Sequence, residues 1–427
     1  MGKIIKGLII TPTENKTLNI YNPGYIVITD RGVIEYVGKE DVRKKYSSYE
    51  FEDYGKQLII PGLVDTHNHL PQYSFAGIGG GQLLPWLENY AFPCEQKFSS
   101  DEIASLTSKL FFKDLIKNGT TTTLSFVTIH KNATDIAFME AEKIGIRAVI
   151  GKVMMDQNSP DALQENIDSS IKESEELIQK WHKKNGRLFY ALTPRFAITC
   201  SFELLKRAGR LMNEYGVYLQ THLSENLAEL DFVRKIFPTF KNYLDVYDQA
   251  GILGDKTLMS HCIYLSDIEL DVLKKTETNI IHCPTSNRFM SSGIMNYRKY
   301  SKIGLKISLG SDVAGGYSLS MFNEMKEAIE NSKMRVLFFD KEVNSMTIEE
   351  AFYLATLGGA TALSLQDSIG SLDVGKNADI VVIDPEVVDP MRDSSIYTKS
   401  LEQLSKCIYR NSSSMVKSVY IQGEKLV

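Results

Sequence analysis

TTTTLSF, residues 120–126, is a short β-branched and apolar run without a charge, and the segment after it carries charges at helical period. The same unit recurs as IRAVIGKVM (146–154), LFYALTPRF (188–196), VYLQTHL (217–223), TLMSHCIY (257–264), NIIHC (279–283) and KISLGS (306–311). QLIIPGLVDT (57–66) brings the number of such runs to eight. Runs of this kind alternating with amphipathic stretches, such as 201–215 and 266–277, are the pattern of buried parallel strands wrapped by helices. The number of runs predicts an α/β fold, a (β/α)8 TIM barrel over 61–370, with an open doubly wound sheet as the alternative.

The ends read differently. Residues 1–60 alternate apolar and polar positions, with turn signals at Asn22-Pro23-Gly24 and Asp30-Arg31-Gly32. After Gly375, ADIVVID (378–384) and MVKSVYIQ (415–422) are strand-like again. We expect 1–60 and 371–427 to form one small β-sandwich from both chain termini.

A chain of 427 residues is long enough for a barrel and an attached module, and 43% hydrophobic with 24% charged residues lies in the globular range. The 48 basic and 53 acidic side chains leave a net charge of -5, which offers no footprint for nucleic acid or an anionic membrane. A small, nearly neutral ligand fits better. Cys94, Cys200, Cys262, Cys283 and Cys407 form no CxxC pair, as expected of a reducing compartment. The N-terminus lacks a signal-peptide core, Lys6 stands where a myristoylation motif wants Ser or Thr, and no run of 18 apolar residues exists. A cytoplasmic location is the expectation.

Seven histidines are few for this length, and most of them fall at candidate strand ends. In Asp65-Thr66-His67-Asn68-His69 two histidines stand two apart, so on a strand both imidazoles point to one face. Alone, the motif fits two polar residues in a loop better than a ligand pair. However, His222, His261, His282 and Asp312 stand at equivalent points of the fifth to eighth runs, which in a barrel converge on one mouth. Three or four N and O ligands around one point are what a zinc-type site needs. His130 and His182 fall outside this set and are expected to be solvated. Cys262 and Cys283 flank two of the histidines but, as strand neighbours, are expected to point away and pack.

The order HxH, His, His, Asp, after Gly62-Leu63-Val64-Asp65-Thr66, resembles the amidohydrolase superfamily over essentially the whole chain, and Thr221-His222-Leu223-Ser224-Glu225 carries the HxxE signature of its deaminase and chlorohydrolase branch. The resemblance implies His67, His69, His222 and Asp312 as ligands of one Zn2+ ion, and His261 as a loose or outer ligand that polarises water. It also implies catalytic roles for Glu225 as proton shuttle and for His261 and Asp312. Binuclear members carry a carboxylated lysine at the end of the fourth strand. Here that position reads Thr193-Pro194-Arg195-Phe196, which argues for one metal, and Lys152 in the preceding strand is read as structural.

The stretches 69–77 (HLPQYSFAG), 194–201 (PRFAITCS) and 312–318 (DVAGGYS) resemble the guanine deaminases within that branch. By that resemblance Gln72 and Arg195 would bond the edges of guanine, Phe196 would wall the ring, and His222, Glu225 and Asp312 would also contact it. The chemistry is reasonable, because an amide offers a donor and an acceptor and a guanidinium donates in a fork to a carbonyl and a ring nitrogen. The implied reaction is guanine plus water to xanthine plus ammonia, in a homodimer. Three readings compete: a deaminase of another aminopurine, a pterin or a triazine; a silent scaffold of the same fold; and a cyclic amidase, which requires two metals and a bridging lysine.

Overall fold

The computed structural model describes residues 2–341, 343–391 and 399–427. Residues 392–398, inside the 371–427 segment read as part of the terminal module, lie outside the described residues.

Four strands open the chain: β1 (Lys3–Pro12), β2 (Leu18–Ile28), β3 (Ile34–Gly38) and β4 (Glu50–Pro61). The barrel strands follow as β5 (Leu63–His69), β6 (Thr120–Phe126), β7 (Arg147–Gly151), the short β8 (Val153–Met154), β9 (Leu188–Pro194), β10 (Tyr218–Leu223), β11 (Thr257–His261), β12 (Asn279–His282) and β13 (Ile307–Leu309). Three strands, β14 (Ile380–Ile383), β15 (Val416–Ile421) and β16 (Glu424–Lys425), return to the first four.

The barrel strands are parallel in the order β5-β6-β7-β9-β10-β11-β12-β13. Their runs are buried on both faces, which is why they read as continuous rather than alternating. The ends of the circle meet beyond β13, where Asp312 N donates to His67 O (2.8 Å) and His69 N to Val313 O (2.9 Å). This closure requires Gly310, because a Cβ there would lie 2.6 Å from His67 Cβ. Helices such as Phe202–Tyr215 and Asp267–Lys275 cover the outside where the amphipathic stretches predicted them. Ser201 and Ser266 cap their first turns.

The terminal strands form one continuous seven-stranded sheet in the order β16-β15-β14-β4-β1-β2-β3, antiparallel except for β1 beside β4. Period-two burial splits it cleanly. Ile380 and Val382 of β14 join Ile5, Ile9, Ile26 and Ile59 in the sheet's own core. Val381 and Ile383 turn the other way, with Leu58 and Ile60, into the main core.

The run 57–66, read as one strand, is two. Gln57–Pro61 belongs to the terminal sheet and Leu63–Thr66 opens the barrel, with the change at Gly62. Gly62 N donates to Asp379 O (2.9 Å), and a Cβ at this position would lie 2.0 Å from Thr121 Oγ1, so only glycine lets the chain pass from one sheet to the other. The run 146–154 is likewise broken, at Lys152, into β7 and β8.

Candidate active site

At the carboxyl end of the barrel, His67 and His69 leave β5 on one face, as their spacing predicts. His222 comes from β10, His261 ends β11, and Asp312 follows β13 by three residues. His67, His222, His261 and Asp312 each offer a ligand atom, and these atoms lie within 4.8 Å of one another. His69 adjoins them, its Nε2 3.1 Å from His222 Nε2 and 3.4 Å from Asp312 Oδ1. His67 Nε2 is 3.1 Å from Asp312 Oδ1. His282, grouped with these positions on the sequence, is outside the cluster, and burial with the nearby His261 lowers its pKa to about 3.

These imidazoles are buried yet poorly satisfied. Neither ring nitrogen of His67 has a hydrogen-bond partner, nor do His69 Nδ1 and His261 Nε2. The outer nitrogens of two rings are held instead: His222 Nδ1 donates to Arg195 O (2.7 Å) and His261 Nδ1 to Asn287 Oδ1 (2.8 Å). Each bond turns the opposite Nε2 inward, the arrangement by which outer partners orient metal-binding histidines. Buried lone pairs facing each other and a carboxylate are costly unless a cation lies among them, so the donor set fits a metal ion. His261 and Asp312 have left-handed backbone (φ 71° and 48°), strain that persists only where the surroundings impose it. Phe126 packs edge-on to His67 (5.0 Å between ring centroids) and tilted against His69 (4.6 Å), sealing the back of the cluster.

The electrostatics follow from burial and mutual proximity. Burial lowers the pKa of His67, His69 and His222, against the pull of Asp312. Burial opposes the charge on Asp312, but the imidazoles of His67, His261 and His69 outweigh it and hold the carboxyl far below its ordinary range. Burial pushes Glu225 up to about 7, against the pull of His261 and with the help of Asp312. Its Oε1 accepts from Ser292 Oγ (3.0 Å), and its Oε2 lies 3.4 Å from His261 Nε2.

The sequence also allows Glu225 to be read as a first-turn helix carboxylate, and the structure gives that task to Glu229. The helix Leu227–Ile236 begins after Asn226, and Glu229 completes its capping box, also accepting from Glu225 N (2.8 Å). Glu225 is thereby free to face the cluster.

A cavity opens onto these groups, lined among others by Gln72, Trp86, Arg195, Phe196 and Met290. Gln72, Arg195, Phe196, His222, Glu225 and Asp312, all assigned to substrate on the sequence, border it. What the sequence did not disclose is Glu95. Its buried carboxylate accepts from Arg195 Nη1 with both oxygens (2.7 and 2.8 Å) and from Gln72 Nε2 (2.8 Å). Phe92 lies under the guanidinium, 5.4 Å away. Asn287 and Ser292 were missed as well.

Several remaining residues settle elsewhere. Lys152 is fully buried in an ion pair with Glu165, away from the cluster. The thiols of Cys262 and Cys283 are buried and point to carbonyls of their own strands. His130 and His182 are half-buried rather than solvated: His130 precedes the helix Lys131–Ile144, and His182 Nδ1 accepts from Tyr190 N (3.3 Å).

The amidohydrolase family model matches residues 58–426. A guanine deaminase of Escherichia coli is 39% identical over 93% of this chain and 86% of its own length, and one of Mus musculus 35% identical over 100% and 97%. The crystal structure of guanine deaminase from C. acetobutylicum, with guanine bound in its active site, superposes with a TM-score of 0.95 at 37% identity and full coverage of both chains. The chain belongs to the amidohydrolase family, among its guanine deaminases.

Proposed function

We propose that this chain deaminates guanine hydrolytically, giving xanthine and ammonia, with one zinc ion held by His67, His69, His222 and Asp312. The observation that carries the reading is the buried ring of inward-facing imidazole nitrogens around Asp312, next to the buried carboxyl of Glu225 and a cavity bearing Arg195 and Gln72. When bound there, the ion supplies Lewis-acid activation of water, lowering its pKa from about 15.7 toward about 7.

The chain's own groups supply the rest. Glu225 takes one proton from water and passes it to the ring nitrogen beside the attacked carbon. It then takes the second from the new hydroxyl on that carbon and gives it to the amino group, whose bond to carbon breaks as the carbonyl forms and ammonia leaves. A buried carboxyl that faces the cluster beside His261 and is held by Ser292 is placed to act first as base and then as acid. His261, fixed by Asn287, faces both Glu225 and Asp312 (3.4 and 3.8 Å) and orients the attacking water between them. Arg195 and Gln72 bond the polar edge of guanine, and Phe196 walls the ring. Adenine lacks the carbonyl that Arg195 is placed to meet, and a buried donor left unpaired disfavours it strongly.

In this reading the barrel, 61–370, carries the chemistry and the module of 1–60 and 371–427 carries none. We place the enzyme in the cytoplasm, in keeping with its five free cysteines and with the lack of a membrane-crossing helix among the described residues. A homodimer is proposed on family membership. The deciding experiment offers guanine, adenine and a pterin to the purified protein, with metal content measured on the same sample. We expect xanthine from guanine alone and about one zinc per chain. Bound zinc with guanine untouched would sink the substrate assignment, while a metal-free, inactive chain would favour the silent scaffold.

A further inference from the structure

Glu95 sits on the short helix Phe92–Gln96, well before Arg195 in sequence, yet both are buried and in direct contact. Its two other neighbours in the contact come from the turn Leu70–Phe75, which carries Gln72, and from Phe92 under the guanidinium. One carboxylate therefore ties together the two side chains that flank the cavity.

The geometry of the tie is uneven. Both carboxylate oxygens converge on the single nitrogen Nη1, an end-on contact rather than the parallel fork in which a structural pair uses two guanidinium nitrogens. Among the described residues no hydrogen bond is made by Arg195 Nε or Nη2, and Arg195 borders the cavity. An ionised carboxylate can only accept, so it also decides the orientation of the Gln72 amide: Nε2 turns to Glu95, and Oε1 lies toward Ala314 N (3.4 Å).

We propose that Glu95 is a positioning residue that sets which purines the pocket accepts, by orienting Arg195 and Gln72 and by cancelling the arginine's charge so that a neutral lactam ring is preferred over an anionic one. The inference rests on the assignment of Arg195 and Gln72 to the substrate. A lone guanidinium in a buried pocket attracts anions indiscriminately, because it is always charged. Paired with Glu95, it keeps its remaining N–H donors and their directions but offers no net charge. An oxopurine that carries a negative charge at neutral pH, such as urate, gains nothing there beyond hydrogen bonds that neutral guanine makes equally well.

Glu95→Gln tests this, since it keeps the volume and removes the charge. With its amide oxygen in the place of Oε1 it still accepts from Gln72 Nε2, but its NH2 then faces the Arg195 Nη1 donor, so the guanidinium loses its counter-charge and its fixed orientation. We expect the guanine KM to rise about tenfold while kcat stays within about threefold, and inhibition by urate to strengthen about tenfold. Glu95→Asp keeps the charge but shortens the reach, so KM should rise without any gain for urate. A residue that merely supports the fold would lower the amount of active enzyme and leave both KM and urate inhibition unchanged, and that result overturns the proposal. If Glu95→Gln does not fold, an unchanged KM in Glu95→Asp overturns it alone. Arg195→Met separates the two layers. A raised KM there, with both Glu95 variants like the parent, removes only the role of Glu95, whereas an unchanged KM removes the substrate assignment and this inference together.

Discussion

Arg147 and Arg195 are equally buried, and each faces a carboxylate brought from far away in sequence, but they spend their donors differently. Arg147, on β7, meets Asp379 at the seam between barrel and terminal sheet. Its Nε and Nη2 reach Asp379 at 3.3 to 3.5 Å, and its Nη1 donates to Gly186 O at 3.0 Å. Every guanidinium nitrogen is engaged, and Asp379 also accepts from Gln422 N (2.8 Å). Arg195, at the opposite end of the barrel, makes a shorter contact through one nitrogen and leaves the others toward a cavity. A saturated pair is a joint, and a half-used pair is a binding group held in place. The same contrast separates the terminal sheet, where Glu52, Tyr54, Tyr420 and Lys425 satisfy one another, from the mouth, where both ring nitrogens of His67, His69 Nδ1 and His261 Nε2 are buried without a hydrogen-bond partner.

The largest effect should come from the mouth. Glu225→Gln removes the proton carrier and leaves the imidazole cluster in place, so turnover should fall by about two orders of magnitude or more while zinc content, read on the same sample, stays at the parent's level. Near-normal turnover would end the shuttle role of Glu225. Next in size is Arg195→Lys, which keeps a cation for Glu95 but loses the planar fork. We expect kcat/KM for guanine to fall about a hundredfold, with thermal stability close to the parent's. A variant that loses stability as much as activity would mean that Arg195 is a joint like Arg147.

How much of this was legible follows the same division. The barrel strands were readable because a strand buried on both faces has no charged positions to interrupt it, as in 120–126 and 188–194. His67 and His69 were readable because period-two geometry is local. The break at Gly62 was not, since its cause is Thr121 across the sheet junction, and no pattern within 57–66 records that neighbour. Glu95 was invisible for a related reason: it lies on a short helix with no apolar period, and its partner is a hundred residues on. Asn287 lies on the short polar helix Pro284–Phe289 after β12 and Ser292 just beyond it, so nothing marks them until His261 and Glu225 are seen beside them. Contacts along one strand can be read from sequence, whereas contacts between loops of different strands need the fold.

The seam should answer in stability rather than activity. Asp379→Asn leaves the Arg147 charge buried without a counter-charge, and breaking a buried pair in this way costs about 3 kcal/mol. Chemical denaturation should show that loss, while kcat and KM of the folded enzyme remain those of the parent. A change in KM would mean that the seam and the mouth communicate through the barrel wall.

The smallest effect should be a pH dependence confined to the same seam. His182 lies in the loop that supplies Gly186 O to Arg147 and accepts from Tyr190 N at the start of β9. Burial, reinforced by Lys183 and Lys256, lowers its pKa to about 4, below the value of about 6.5 expected in the unfolded chain. Between those two values the unfolded state binds the proton more readily than the folded one. Its contribution to stability is therefore complete above about pH 6.5 and is lost as the pH falls toward about 4. His182→Asn keeps an acceptor near the position of Nδ1 but cannot titrate, so its unfolding free energy should vary less over that window than the parent's, with the two profiles parallel above it. Parallel profiles across the whole range would show that the Tyr190 bond survives protonation of the ring and that the loop moves to accommodate it.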